Sequence, residues 1–539
     1  MDLPEKTETL EPTKPAPPAT PFSHLASALI KSLEKTEPHS HHGKIVVNQL
    51  VSKVASWYEK LRNAMDYREE EVILRAAIER ILKRRILLGG DGKKIAEPLV
   101  RELIWAKYFP DESLSESVVL QVEKKIDLYL RLKDTLVEKK ILPDAKAGEW
   151  MYQLMSSDIE YLLHPIKEKE LVTNFMFQVM RTNITITDDT EQNKDIQTFI
   201  AVRRAFAKDD LAFLRFRLFS QFFGNGGITE ASFAHILEKF PDCYREITSQ
   251  LSYPRKDRIY SYVKNKTGAF FVLEDLLHVY KADVVQLYEK REEFEKTVFE
   301  ICKARYNEIS GKVRRAIIRS VAFILLTKVF FAFGIEGTFE SLVYGSVSWR
   351  SIIINTGIPP ILMVVASFFL RAPKQDNSKR ILQYIDAALT EEEPRIGNAL
   401  IIKKVAEQRP FLNTVFTILW LLTYLLSFGA IMYGLTLLHF NPISQGIFMF
   451  FVAIVSFLTY RIGLTSREYT VDPRQGVLWP IFDFFFLPIV RVGQRLTEGI
   501  SQINLLLFIF DFIIETPFKG IFGFFEQLLF FLHAKREEL

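Results

Sequence analysis

Residues 414–438, TVFTILWLLTYLLSFGAIMYGLTLL, contain no charged side chain in 25 positions. A helix of about 20 apolar residues crosses the hydrocarbon core of a bilayer, about 30 Å thick, so this segment predicts a transmembrane helix. Three other stretches are comparably apolar, and the chain therefore predicts four spans, at about 317–335, 351–370, 413–438 and 443–460. The second span contains Pro359 and Pro360, which predict a kink or a break because proline removes amide donors.

The numbers of Lys and Arg residues alternate between the segments that flank the four predicted spans. Four basic residues precede the first span, one lies in 336–350, eight lie in 371–410, none lies in 439–442 and three follow the last span. Because basic flanks stay in the cytoplasm, this alternation predicts cytoplasmic N- and C-termini and a plasma or inner membrane location. Removing one span would place a basic loop outside, so the charges support an even number of spans.

The remainder of the chain has a different composition. Over 539 residues, 69 Lys and Arg balance 65 Asp and Glu, yet the mean hydropathy is +0.07. Of the 45 Phe residues, 28 fall after residue 316, so a charged part precedes an apolar part. The near-zero net charge argues against a nucleic-acid partner. The two cysteines, Cys243 and Cys302, exclude a disulfide scaffold and have no metal-site spacing.

Apolar residues recur at helical spacing through residues 23–281, which predicts a multi-helical cytoplasmic domain. Only residues 183–187, NITIT, have strand character. Residues 1–22 hold six prolines and predict a disordered tail. Residues 282–316 predict one long charged helix that leads into the membrane. The predicted fold class is all-α, with a soluble domain followed by a four-span membrane domain (317–464) and a Phe-rich tail (465–539).

The densest Phe cluster lies in the tail, where residues 477–531 hold 13 Phe in 55 positions. Three prolines divide this segment, and its apolar runs are too short or too charged to span a bilayer. The pattern predicts amphipathic helices lying in the plane of the membrane interface. The alternative is a re-entrant hairpin that packs against the four spans.

No motif in the chain predicts catalysis. Residues 89–94, GGDGKK, lack the Ser or Thr of a phosphate-binding loop and follow a predicted helix. His39, His41 and His42 cluster, but no Cys or acidic partner completes a metal site. We predict no catalytic, cofactor-binding or metal-binding residue, which favours a protein that is not an enzyme, although catalytic groups can assemble from distant positions.

Lys328 lies near the middle of the first predicted span, where a charge is costly and often functional. We expect an intramembrane polar site formed by Lys328 with Asp511 or Glu515 if the tail re-enters the membrane. The alternatives are a lysine that extends its ammonium to the interface, or a span that is shifted by one turn.

These features favour an integral membrane protein that presents its helical domain to an unidentified protein partner. One alternative is a small channel or transporter, based on Lys328, the two prolines and assembly into a homo-oligomer. A weaker alternative is an interfacial enzyme that acts on lipid-like substrates. The lipid bilayer is a partner in all three hypotheses. A polar cavity around Lys328 would favour transport, and a dry helical core would favour the structural role.

Overall fold

The computed structural model of the protein describes residues 21–35, 45, 47–65, 70–224, 227–345, 349–368, 370, 373–403, 410–473 and 479–501, with isolated positions between 524 and 532. About four fifths of these residues are helical, which confirms the predicted all-α class. Two strands of three residues, Ile184–Ile186 (β1) and Leu400–Ile402 (β2), pair in parallel. The Pro-rich tail and the His39, His41 and His42 cluster lie outside the described residues.

The part of the chain before residue 291 forms thirteen helices within the described ranges. They are His24–Glu34 (α1), Gln49–Met65 (α2), Glu70–Leu87 (α3), Gly92–Trp105 (α4), Glu116–Glu138 (α5), Asp144–Leu163 (α6), Lys167–Thr182 (α7), Glu191–Val202 (α8), Leu211–Phe223 (α9), Glu230–Leu251 (α10), Lys256–Lys264 (α11), Thr267–Tyr280 (α12) and Val284–Glu289 (α13). Side-chain caps begin several of them: Asp91 accepts from Lys94 N, and Thr229 forms a capping box with Ser232.

These helices enclose two hydrophobic cores. The first core is built mainly from α3–α6, α9 and α10, and includes Leu99, Tyr129 and Phe240. The second core is built from α1, α7, α8 and α11–α13, together with segments that come much later in the chain. Helix α8 contributes to both, with Ile200 in the first core and Val202 in the second.

A network of buried charges joins α3, α7 and α9, which belong to different cores. Arg75 pairs with Asp210 at 2.6 Å, and Arg203 pairs with Glu170 at 2.7 Å. Glu160 lies beside this network with 6% of its surface exposed, and its Oε2 accepts no hydrogen bond from the described residues. Burial away from water, opposed by the nearby Arg75, raises the pKa of the Glu160 carboxyl to about 8.

The raised pKa of Glu160 predicts a pH-dependent stability. The unfolded chain ionises this carboxyl near its ordinary value of 4.5, whereas the folded chain keeps it protonated up to about pH 8. The wild type should therefore lose stability as the pH rises through this window, by about 1.4 kcal/mol per pH unit at most. Glu160→Gln should match the wild type at pH 4 and exceed it at pH 8 in thermal unfolding of the detergent-solubilised chain. The exposed Glu238→Gln is the control, and a stability difference that does not change with pH contradicts the prediction.

The later part of the chain forms seven helices among the described residues. They are Arg291–Phe331 (α14), Thr338–Tyr344 (α15), Trp349–Ser367 (α16), Gln375–Thr390 (α17), Pro410–Leu437 (α18), Pro442–Ser466 (α19) and Trp479–Ser501 (α20). A π-helical segment, Ala332–Gly337, joins α14 to α15 without ending the helix. The long charged helix thus begins at Arg291, after the short α13, and continues directly into the first apolar stretch.

Among the described residues, three helical stretches are long and apolar enough to cross a membrane: Arg291–Val343, Thr414–Leu437 and Pro442–Ser466. Their outer faces are exposed apolar surface, as at Leu326 (71%) and Leu425 (69%), which in a soluble protein would be buried. The prediction of four full spans is therefore wrong in number. The apolar part of α16, Ile352–Ser367, rises about 24 Å and falls short of the hydrocarbon thickness. Pro359 and Pro360 lie inside α16 and do not end it.

The segments that connect the apolar helices fold back onto the second core. Ile381, Ile385 and Leu389 of α17 are buried there, and β2 pairs with β1 of the soluble part. After α19, Tyr469 is also buried in this core. The second core therefore combines residues from before and after the apolar helices.

Helix α20 packs against α18 and α19. The Ser427 hydroxyl of α18 donates to the Phe485 carbonyl at 2.8 Å, and Ile489 is buried in a cluster with Leu435 and Ala453. Gly493 approaches α19 so closely that an added Cβ would lie 1.9 Å from the Ala453 carbonyl oxygen. The interfacial tail stays a prediction, because most of residues 502–531 lie outside the described part of the chain.

The contact at Gly493 predicts a strong effect of one methyl group. Gly493→Ala should force α20 away from α19, because the clash is with backbone and cannot be relieved by rotating a side chain. We expect a loss of about 1–3 kcal/mol in stability, measured by thermal unfolding in detergent. Gly429→Ala, on the open side of α18, is the matched control. Equal unfolding temperatures for the two variants would contradict this packing.

Candidate functional site

Four polar side chains meet among the apolar helices with no exposed surface. They are Lys328 of α14, Glu336 of the π-helical segment, Asn355 of α16 and Ser444 of α19, which we call the polar cluster. The π-helical segment continues α14, so the cluster connects α14, α16 and α19. Polar groups removed from water require partners, which makes their hydrogen bonds the first question about this site.

Asn355 lies between the two charges of the cluster. Its Oδ1 accepts from Lys328 Nζ at 2.5 Å, and its Nδ2 donates to both oxygens of the Glu336 carboxylate at 3.0 Å. The Ser444 hydroxyl also donates to Glu336, and the Ser444 carbonyl accepts from Asn355 at 3.3 Å. A cation and an anion are therefore bridged by one amide whose dipole favours both. The Lys328 ammonium also lies 4.6 Å from the centre of the Phe451 ring, which adds a cation–π contact.

The π-helical segment explains how Glu336 reaches this position. Eight residues separate it from Lys328, and in a regular α-helix they would differ by about 80° around the axis. A π-turn uses more residues per turn, so it rotates Glu336 back towards the face that carries Lys328. Ala332–Gly337 is one of two π-helical segments in the described chain. Such segments are frequent at functional sites.

A second set of contacts supports the cluster from the α18–α19 turn. Asn441 caps α19 by accepting from Ser444 N at 2.8 Å, and Pro442 occupies the first helical position. The Asn441 side chain also donates to Glu340 of α15 at 2.6 Å. Glu340 is 2% exposed. The turn between α18 and α19 is thus tied to the same end of the first apolar helix.

The sequence predicted one member of this cluster and missed the others. Lys328 belongs to the cluster, whereas Asp511 and Glu515, its expected partners, lie outside the described residues. Glu336 was missed because the first span was predicted to end at 335, one residue before it and within the π-helical segment. Asn355 is uncharged and lies within an apolar run, although it is the only Asn or Gln in residues 351–370. That single amide was the available signal.

The geometry of the polar cluster favours a structural role, in which it holds helices together, over a role as an ion path. All four side chains have no exposed surface, and the Lys328 and Glu336 charges are already satisfied within the cluster. A neighbouring cavity of about 390 Å³ is lined by residues such as Phe333, Trp349 and Ile352, and by none of the cluster. The cluster can therefore fix the relative positions of α14, α16 and α19.

Other candidate sites from the sequence have ordinary structural roles. Residues 89–91 belong to the turn between α3 and α4, with Gly89 at a φ of 78°, and residues 92–94 begin α4. Cys243 is a free, buried thiol, and burial raises its pKa to about 12, so it stays protonated. Among the described residues, no group of three or more His, Cys, Asp or Glu side chains could hold a metal ion.

Comparison with known proteins gives no relative for this chain. No protein-family model matches it, and neither a curated protein nor a solved structure does. The functional argument therefore depends on the chain's own geometry.

The bridged charges predict a strongly non-additive pair of substitutions. Lys328→Met or Glu336→Gln alone leaves one buried charge without its counter-charge, and each should cost about 3 kcal/mol of stability. The double variant leaves no uncompensated charge and should cost much less than the sum. Denaturation in mixed micelles measures the free energy of unfolding of the wild type, the two single variants and the double variant. Thr327→Leu, one position away on α14, is the control. Additive losses would show that the two charges are not coupled through Asn355.

Proposed function

We propose that this chain is an integral membrane protein that holds its helical domain in a fixed position at the membrane surface, where the domain serves as a structural or interaction module. The observation that carries this proposal is the shared core. Ile324, Met363 and Phe451 of the apolar helices belong to the same buried cluster as α1, α7 and α12 of the domain. A contiguous core of this kind couples the two parts, unlike a flexible linker.

The connecting segments support the same conclusion. The Asn377 side chain donates to the Tyr306 hydroxyl of α14 and to the Tyr469 carbonyl, both at 2.8 Å. The buried Lys266 of the domain pairs with Asp472, six residues after α19 ends. The chain is therefore held to the domain both between α16 and α18 and after α19. Such multiple attachment suits a module whose orientation relative to the bilayer matters.

The same contacts favour a particular topology. In this proposal α14 and α15 lead away from the domain, α16 returns, α18 leads away again and α19 returns. To return the chain to α17, α16 must cross the membrane or closely approach its other surface, although this helix is shorter than the bilayer core. The polar cluster at the far ends of α14 and α16 gives a partner to the charges that such a short hairpin places in the membrane. The basic flanks assign the domain to the cytoplasmic side.

Cysteine labelling tests this topology in sealed vesicles of known orientation. Glu238→Cys in α10 and Glu393→Cys after α17 should both react with a membrane-impermeant maleimide from the cytoplasmic side. His439→Cys, in the α18–α19 turn, should react only from the other side. The native thiols are buried and provide a low background. Labelling of positions 393 and 238 from opposite sides, or extraction of the chain by alkaline carbonate, would overturn the proposal.

One observation favours a second candidate, transport of an ion or proton. The polar cluster places opposite charges within a membrane helix that contains a π-helical segment, and intramembrane charges often mark transport paths. Its full burial argues for the first proposal. Ion and proton flux into proteoliposomes should be absent, or equal for the wild type, Lys328→Leu and the Thr327→Leu control. A flux that only Lys328→Leu abolishes would instead establish the transport function.

A further inference from the structure

A groove lies between α14 and the end of α16, where α14 leaves the domain. Its volume is about 330 Å³, and Ser310, Arg314 and Ile317 of α14 line it together with Ser367 and Leu370. This volume is at the lower end of the range of small-ligand sites. The groove is separate from the polar cluster, because Lys328 lies about four turns beyond Arg314 along the same helix.

Arg314 is the charged side chain among the residues that line the groove. The apolar Ile309 and Val313 line it at the same level, and Ile317 and Ile318 follow at the start of the apolar stretch. If α14 enters the bilayer near residue 317, Arg314 lies at the depth of lipid headgroups and the two following isoleucines lie at the depth of acyl chains. A ligand with an anionic end and an apolar end in the same order therefore fits this groove.

The charge at this level is positive and uncompensated. Arg314, Arg315 and Arg319 are exposed, and none of them forms an ion pair with a described residue. Closer to the domain the pattern differs: Arg305 pairs with Asp275 at 2.5 Å, and Lys312 pairs with Glu308 at 3.0 Å. Residues 309–335 contain no Asp or Glu. The three arginines therefore face the bilayer surface without counter-charges from their own helix.

We propose that this groove binds an anionic phospholipid, with the phosphate on Arg314 and one acyl chain along Ile317, Ile318 and Leu370. A guanidinium presents two parallel donors to phosphate oxygens, and Arg315 and Arg319 add to the local potential. Basic residues beside a membrane helix attract anionic lipids, with an effect near fivefold per arginine. This inference rests on the proposed membrane location, and it adds a specific lipid class to that function.

Native mass spectrometry of the full-length chain, released from detergent with equal amounts of phosphatidylglycerol and phosphatidylcholine, tests the proposal. The wild type should retain phosphatidylglycerol in preference, and soluble glycerophosphate should not displace it because the apolar half of the ligand is missing. Equal retention of the two lipids would overturn the proposal. Displacement by glycerophosphate would show a free-phosphate site instead.

Three variants separate the contributions of charge and shape. Arg314→Gln should reduce the preference for phosphatidylglycerol about fivefold, and Ser367→Phe should reduce retention of lipid in the groove by filling it. Arg245→Gln changes an arginine that is 77% exposed on α10, a helix that packs on the first core and does not line the groove, and it should leave the preference unchanged. An unaltered preference in Arg314→Gln, with its thermal unfolding unchanged, would overturn the assignment.

The outcome is distinguishable from a failure of the proposed function. Carbonate extraction and cysteine labelling report whether the chain is integral to the membrane, and neither depends on Arg314. A chain that stays in the membrane but shows no preference for the anionic lipid refutes only the lipid site. A chain that carbonate extracts refutes both proposals.

Discussion

The amide of Asn355 is the constraint on which the arrangement of the apolar helices depends. A lysine and a glutamate without water must each find a partner, and one side chain serves both through its two ends. That bridge is satisfied only when α14 and α16 are aligned at residues 328 and 355, and the Ser444 contacts fix α19 in the same register. Apolar packing between helices in lipid specifies register weakly, so a buried polar contact carries much of the specificity.

From this alignment the positions of the connecting segments follow. Because α14 and α16 run side by side, the end of α16 returns to the level at which α14 leaves the domain. Helix α17 is then placed where its apolar face completes the second core, and the end of α19 brings Tyr469 to the same core. The Tyr469 ring packs against the Phe271 ring at a tilted angle, and an added Cβ at Gly268 would lie 2.8 Å from the Tyr469 backbone. The fit is close on both sides of this contact.

The sequence was informative where local physical chemistry decides the structure. Helical periodicity identified the all-α domain, and hydropathy identified the stretches around Thr414–Leu437 and Pro442–Ser466. It failed where the outcome depends on distant partners. Residues 371–410 were predicted only as a basic loop. They contain α17, whose apolar face is buried against α1 and α12, two helices that lie far earlier in the chain. In the polar cluster, Lys328 could be predicted as an isolated charge in an apolar stretch. Glu336 could not, because it reaches the cluster only through a π-turn that no sequence pattern predicts.

The parallel pairing of β1 with β2 has a consequence for biosynthesis. Thr187 donates a hydrogen bond to the Ile402 carbonyl, so β1 is synthesised 215 positions before its partner strand β2. The Ser23 amide likewise donates to the Leu389 carbonyl. Asp472, which pairs with Lys266, is synthesised later still. At about 5–20 residues per second, a ribosome needs roughly 8–30 s to synthesise the chain between residues 316 and 472. Throughout that interval the second core is incomplete. Under the proposed membrane location, the apolar helices enter the bilayer during the same interval, so a chain whose helices fail to insert would leave this core unfinished.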